Sequence, residues 1–175
     1  MRPDSRPGWD LYFLAIAEAV AERADCTRRK VGAVITIGNR SAVCGYNGSP
    51  PGARGCLEGK CPRGQHYKAY AGHEDGRGII DFCACHLPHP CPDYAAPGSS
   101  YDTGPGFCIA LHAEQNAILD AAKRGIAIKH GTIYVTSEPC IGCYKMLAGA
   151  ELTRLAWTNA RGEIRSADYP FLSCY

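Results

Sequence analysis

The sequence predicts an α/β layered fold, one sheet covered by helices. Three observations carry the prediction. Apolar residues recur at helical spacing near the N-terminus and again after residue 112. Short runs rich in β-branched residues lie beside those helical segments. Strands that alternate with helices pack as a sheet with helices on its faces. The 175 residues suit a single domain with a buried core, and no internal repeat divides them.

Residues 9–24, WDLYFLAIAEAVAERA, place Leu11, Leu14, Ile16, Ala17, Val20, Ala21 and Ala24 on one side of a helix. The run 31–37, VGAVITI, ends at Gly38-Asn39, a turn pair, and 41–47, SAVCGYN, follows directly, so the two runs form a hairpin. Residues 48–107 are rich in Gly, Pro, Cys, His and Tyr and show no periodicity. A loop of that length in a compact domain needs a function, or a staple other than an apolar core. Helical spacing returns in 112–125, HAEQNAILDAAKRG, with Ala113, Ala117, Ile118 and Ala121 on the apolar stripe and Gly125 as the stop. Residues 132–136, TIYVT, read as a strand. Pro139 opens a further helix reaching about Ala150, since proline suits a first helical turn. Residues 152–158, LTRLAWT, form another strand, and 160–175 are either a short strand or an extended tail.

The hydrophobic content of 46% and charged content of 21% are those of an ordinary globular chain. A net charge of +2 gives no strong electrostatic case for nucleic acid or a membrane surface as partner. The start, MRPDSRPGWD, lacks the apolar core of a signal peptide, and no run of about 18 apolar residues exists to span a membrane. A cytoplasmic location is therefore expected. Eleven cysteines in a reducing compartment point to metal ligation before disulfides.

The chemistry concentrates in two short stretches, His112-Ala113-Glu114 and Pro139-Cys140-Ile141-Gly142-Cys143. Catalytic zinc takes three protein ligands and keeps one position open. His112, Cys140 and Cys143 offer those three, and a set of two thiolates and an imidazole suits zinc over magnesium or calcium. Residues three apart share a helix face, so both cysteines can reach one ion. A helix start favours thiolate over thiol. Each helix is read as following a strand, which places both metal-bearing ends at one edge of the sheet. Glu114, two residues past His112, points away from that ligand and is a poor fourth one. It can flank a bound water whose pKa the metal lowers to about 7. Glu114 would take that water's proton and deliver it to the ring nitrogen and the departing amine. A structural zinc site of the C-x-x-C kind would want four protein ligands; this set has three and an acid.

The joint pattern H-x-E with P-C-x-x-C is that of the zinc deaminases. With CTRRKVGAVI (26–35), GYNGSPPG (45–52), HAEQNAIL (112–119) and TIYVTSEPCIGC (132–143), the chain resembles the deoxycytidylate (dCMP) deaminases of the cytidine deaminase superfamily. The resemblance implies a cytidine-deaminase-like three-layer α/β/α fold with a mixed, about five-stranded sheet. It implies zinc-dependent hydrolysis of dCMP to dUMP and ammonia, a homo-oligomer, commonly a hexamer, and in many members regulation by dCTP and dTTP, with magnesium beside a nucleotide effector. Asn47 alone reads as a turn residue before glycine; within GYNG-x-P it matches the asparagine that bonds the substrate sugar. Ala113 and Ser137 match backbone positions that hold the base edge. Arg28, Arg29 and Lys30 are either a phosphate site or a solvated charge run. Family members often carry a tyrosine after the fourth strand; here AWTNARGEIR has none before Tyr169.

Some members staple the region before the HAE helix with a second zinc. Cys26, Cys56, Cys61 and Cys108 match cysteine positions seen there, and four thiolates would make a closed structural site. The segment DFCACHLPHPC adds Cys83, Cys85, His86, His89 and Cys91, dense enough for a further metal or an alternative ligand set. His66, His73 and His130 read as solvent-facing, and Cys44 and Cys174 as structural. Besides a mononucleotide deaminase acting on dCMP, CMP or a modified cytosine nucleotide, two readings compete. One is a polynucleotide deaminase acting on tRNA adenosine or single-stranded DNA cytosine, which needs a basic groove with stacking aromatics. The other is a non-catalytic zinc module, which has no use for Glu114.

Overall fold

The computed structural model describes residues 6–63, 68–71, 80–83 and 107–169. The chain divides into two compact units, one of Met1–Ala24, Arg28–Asn47 and Leu111–Tyr175, the other of Asp25–Thr27 and Gly48–Ala110. In chain order the described elements are α1 (Trp9–Ala21), β1 (Gly32–Ile37), β2 (Arg40–Tyr46), β3 (Lys68–Ala71), β4 (Ile80–Cys83), α2 (Ala113–Arg124), β5 (Thr132–Val135), α3 (Ile141–Gly149), β6 (Arg154–Thr158) and β7 (Ile164–Asp168).

The first unit holds a five-stranded sheet in the order β2-β1-β5-β6-β7. Only the β5–β6 pair is parallel; β1–β2, β1–β5 and β6–β7 are antiparallel. The sheet is therefore mixed, as expected. Its two faces are set by the alternation of side chains along each strand. Ala33 and Ile35 of β1, Ile133 and Val135 of β5 and Leu155 of β6 turn to one face, where they pack with Ala113, Ala117 and Ala121 of α2 and Leu147 of α3. Val34, Tyr134 and Ala156 turn to the other, against Phe13, Leu14 and Ala17 of α1. Helices on both faces complete the three layers. Each fully buried Leu or Ile here is worth about 1.5–3 kcal/mol against exposure.

Two glycines let the helices approach. A Cβ on Gly32 would sit 2.0 Å from the Ala17 carbonyl oxygen, and one on Gly45 would sit 2.3 Å from the Ala113 carbonyl oxygen. α1 thus lies directly on β1, and the start of α2 directly on β2. Asn116 Nδ2 adds a bond to the Tyr46 carbonyl at 2.7 Å. Across the sheet, Arg154 of β6 forks onto Asp10 of α1, Nη1 to Oδ1 at 2.8 Å and Nη2 to Oδ2 at 2.7 Å.

The elements depart from expectation in instructive places. α1 stops at Ala21, three residues early, and Leu11 is 56% exposed while Phe13 is buried. Phe13 stacks with Trp9 and meets Tyr134 at a centroid distance of 5.0 Å, which turns the buried stripe towards Phe13, Leu14, Ala17 and Ala21 and leaves Leu11 to the side. α3 begins at Ile141, not Pro139; Cys140 is its N-cap, and its Sγ accepts from Cys143 N at 3.5 Å. Within the stretch after 160, Ile164–Asp168 form a strand, β7, paired antiparallel with β6.

In the second unit β3 and β4 pair antiparallel. Asp25 Oδ1 accepts from Leu57 N at 3.0 Å, Thr27 Oγ1 lies 3.2 Å from Cys56 Sγ, and Arg63 N donates to the Phe107 carbonyl at 3.1 Å. The side chain of Cys83, together with Cys85, His86, His89, Cys91, His66, His73 and Cys174, lies outside the described residues. Among the described residues no helix is long and apolar enough to cross a membrane.

Candidate active site

Two helix starts meet in the first unit. α2 does not follow a strand of the sheet; residues 107–110, from the second unit, lead into it through Leu111. His112 is its N-cap in an extended conformation, and its backbone N–H donates to Gln115 Oε1 at 2.7 Å, half of a capping box. α3 follows β5 through Thr136–Pro139 and begins at its own cap, Cys140. The N-cap geometry matters, because both cap side chains project from helix ends, where amide dipoles favour anionic donors.

His112 Nδ1 lies 3.5 Å from Cys140 Sγ and 3.4 Å from Cys143 Sγ. The three donor atoms all fall within 4.8 Å of one another, the only such donor set among the described residues. A tetrahedral zinc with ordinary bond lengths separates a nitrogen and a sulfur ligand by about 3.6 Å. The donors thus stand at the spacing such an ion requires. Cys143 is buried, His112 half-buried and Cys140 exposed, so the set opens on one side.

Glu114, in the first turn of α2, is 4% exposed yet is not part of the donor set. Burial raises its pKa above the usual carboxylate range, opposed by its own backbone amide, the His112 charge, the Cys143 thiol and the Arg29 charge. Burial likewise raises the Cys143 pKa, and Glu114 and Cys140 push it further in the same direction. Cys143 and Glu114, both buried, each disfavour the other's ionised form, and a dication beside them would offset that cost.

The remaining candidates fall around this centre. Ala113 is fully buried as the first residue of α2, and Ser137 lies buried in the turn after β5. Arg29 donates from Nη2 to Ser137 Oγ. The sequence offered Arg29 only as one member of a charge run; nothing in the run shows which cation turns towards the centre. Asn47 uses both ends of its amide on backbone: Nδ2 donates to the Arg29 carbonyl at 2.9 Å and Oδ1 accepts from Val31 N at 2.8 Å. In the second unit, the structure brings Cys61 and Cys108 together, 3.8 Å between sulfurs, but no three of Cys26, Cys56, Cys61 and Cys108 share one 4.8 Å cluster.

Residues 7–158 match the family model of the cytidine and deoxycytidylate deaminase zinc-binding region. The chain belongs to this family. The deaminase is 38% identical to the deoxycytidylate deaminase of Mycobacterium phage D29, across 87% of this chain and 96% of that protein. It is 34% identical to the deoxycytidylate deaminase of Schizosaccharomyces pombe, across 79% of this chain but 33% of that protein. Among solved structures, the dCMP deaminase of cyanophage S-TIM5 in complex with dCMP and dUMP superposes with a TM-score of 0.56 at 26% identity, covering 88% of this chain and 83% of that one.

Proposed function

We propose that this chain is a zinc-dependent hydrolase that converts dCMP and water to dUMP and ammonia. The observation that carries the reading is the convergence of His112 Nδ1, Cys140 Sγ and Cys143 Sγ beside the buried carboxyl of Glu114. Family membership supports it, as do relatives named deoxycytidylate deaminase and a solved relative that holds dCMP and dUMP.

His112, Cys140 and Cys143 are the residues that would hold the zinc. The ion supplies Lewis acidity, which brings the pKa of a water from about 15.7 towards 7. Glu114 does the proton work. Its carboxylate accepts one proton from the attacking water and passes it to N3 of the cytosine ring; it then takes the proton of the new C4 hydroxyl and passes it to the amine, so that the C4–N bond breaks, ammonia leaves and the C4 oxygen stays as the carbonyl. Burial raises the pKa of this carboxyl above the usual carboxylate range, the direction that strengthens it as a base. Ala113, next to His112, and Ser137, shortly before Cys140, would meet the base edge with backbone groups.

The same reading includes a structural zinc on Cys26, Cys56, Cys61 and Cys108, supported by the approach of Cys61 to Cys108. It also includes a homo-oligomer in the cytoplasm. Zinc per chain and light scattering on the purified protein test the first two.

The activity test is a panel of dCMP, CMP, deoxycytidine, deoxyadenosine and an RNA hairpin, each followed for ammonia release. dCMP should turn over fastest. Release from the hairpin alone, or from no mononucleotide, would overturn the reading.

A further inference from the structure

α2 carries an asparagine one turn past its cap, where this residue weakens a helix because its amide competes for backbone partners. Asn116 finds such a partner on the sheet. Its backbone N–H donates to the His112 carbonyl at 3.0 Å and closes the first turn after the candidate ligand. Its half-buried side chain donates from Nδ2 to the Tyr46 carbonyl at 2.7 Å. One residue thus holds His112 by the main chain and the last residue of β2 by its amide.

Tyr46 pairs with Gly32, and Gly32 N donates to Thr136 Oγ1 at 3.1 Å. The end of β2, the start of β1 and the turn towards Ser137 and Cys140 therefore stand side by side. Asn47 follows Tyr46, and its amide is locked. Asn47 N donates to the Val31 carbonyl at 3.1 Å, Nδ2 to the Arg29 carbonyl at 2.9 Å, and Oδ1 accepts from Val31 N at 2.8 Å. These bonds use one amide N–H and one lone pair of the side chain and leave one of each. A spare donor beside a spare acceptor matches a hydroxyl, which is both. The deoxyribose of dCMP carries one free hydroxyl, on C3′. The groups that act on C4 ride on α2, whereas Asn47 belongs to β2. Base and sugar are one short covalent unit, so both ends are served together only if α2 and β2 keep a fixed register. Gly45 lets the helix touch the strand, and the Asn116 bond sets where along the strand it stands.

We propose that Asn116 is a positioning residue that sets Asn47 at the distance from Glu114 which a deoxyribonucleotide spans, and so enforces recognition of the 3′ hydroxyl. The proposal rests on the cytosine-nucleotide reading above and on the sugar contact that the resemblance implies for Asn47. Asn116 acts through the end of β2 and not on the substrate itself. Its effect therefore shows as discrimination between dCMP and 2′,3′-dideoxycytidine monophosphate, which lacks only that hydroxyl.

The test measures kcat and KM for both nucleotides with zinc-loaded protein, for wild type, Asn47→Ala, Asn116→Ala, Asn116→Asp and the double variant Asn47→Ala/Asn116→Ala. Wild type should prefer dCMP. The ratio of the two kcat/KM values should fall about 3- to 10-fold in Asn116→Ala, the range of one hydrogen bond. The change should appear chiefly as a higher KM for dCMP, with kcat within about threefold of wild type, because the donor set and Glu114 are untouched. Asn116→Asp keeps the shape of the side chain and loses the donor, so it should lower the ratio at least as far; it decides the matter if Asn116→Ala fails to fold. The double variant should show the same ratio as Asn47→Ala, since residues that act through one contact are not additive. Calorimetric titration with dUMP and with 2′,3′-dideoxyuridine monophosphate should show the same loss of preference without turnover. An unchanged ratio in both Asn116 variants, an equal fall for both nucleotides, or additive effects in the double variant would overturn the proposal and leave the deaminase reading standing. A wild type that treats the two nucleotides alike would overturn the sugar contact and this proposal with it. A wild type that releases no ammonia from dCMP would overturn the deaminase reading itself.

Discussion

His112 Nδ1 stands 3.4 Å from Cys143 Sγ, a residue 31 positions further along the chain. The fold closes that gap through two helix caps, one at the start of α2 and one at the start of α3. Because Cys143 is fully buried, its sulfur cannot turn away to water. Cys143→Ala should therefore remove one equivalent of zinc per chain and cut dCMP turnover below about 1% of wild type. A zinc-release assay with a colorimetric chelator checks the stoichiometry. Full zinc content in that variant would show that Cys143 is not a ligand.

Glu114→Gln separates metal from proton transfer. The amide keeps the shape of the side chain, and burial already opposes the charge of the carboxyl it replaces. The variant should retain zinc, melt at or slightly above the wild-type temperature, and lose about 10²- to 10⁴-fold in kcat, the range of a positioned acid–base group. Wild-type kcat in Glu114→Gln would remove the carboxyl from the mechanism.

Much of this was legible because the signals are local. The alternation in VGAVITI sets which face of β1 meets which helix, and the H-x-E and P-C-x-x-C spacings place three donors within reach of one ion. What was not legible depends on contacts between distant residues. Leu11 seemed as apolar as Leu14, but Phe13 pairs with Tyr134, 121 positions away in the chain by their numbers, and that contact rotates α1. Pro139 seemed a helix start, but the Cys140 thiol accepts from Cys143 N and takes the cap position instead. The run Arg28-Arg29-Lys30 is uniform in charge; only the Asn47 clamp and Ser137 turn Arg29 towards the centre while Lys30 turns to Glu22. Gly45 reads only as one residue of the strand run SAVCGYN, whereas in the fold it is the floor on which α2 rests.

That floor gives a stability test. A methyl on Gly45 would meet backbone atoms of Ala113 and Ala117 at 2.3 and 2.4 Å, atoms that cannot rotate aside. Gly45→Ala should cost about 3 kcal/mol, as forced overpacking does at its upper range, and lower the melting temperature by about 6–12 °C for a chain of this size. It should also loosen the His112 cap and reduce zinc retention. Gly149→Ala, in the last turn of α3 with nothing within 4 Å of the added methyl, is the control. It should be neutral or stabilise by up to about 1 kcal/mol. Equal melting temperatures for the two variants would mean that α2 does not press on β2 as described.

The Asp10–Arg154 fork ties α1 to β6 across 144 residues, and its contribution should depend on pH. The Arg154 hydrogen bond is the largest influence on Asp10 and holds its carboxyl below the usual value of 3.8, against the opposing effect of burial. A carboxylate with a depressed folded pKa stabilises the fold fully above its unfolded pKa and loses that contribution as pH falls through the folded one. The side chains are 29% and 35% exposed, so screening keeps the fork's worth to about 1 kcal/mol in low salt. Asp10→Asn should therefore destabilise by about that amount at pH 7, where the carboxylate is fully charged. The difference from wild type should narrow as pH falls below 3.8, and also in high salt at neutral pH. Urea unfolding of both proteins at pH 7, 5 and 3 measures it, the lowest point lying below the ordinary value of 3.8. A gap that stays constant across those conditions would assign the effect of Asp10→Asn to the start of α1 rather than to its ion pair with Arg154.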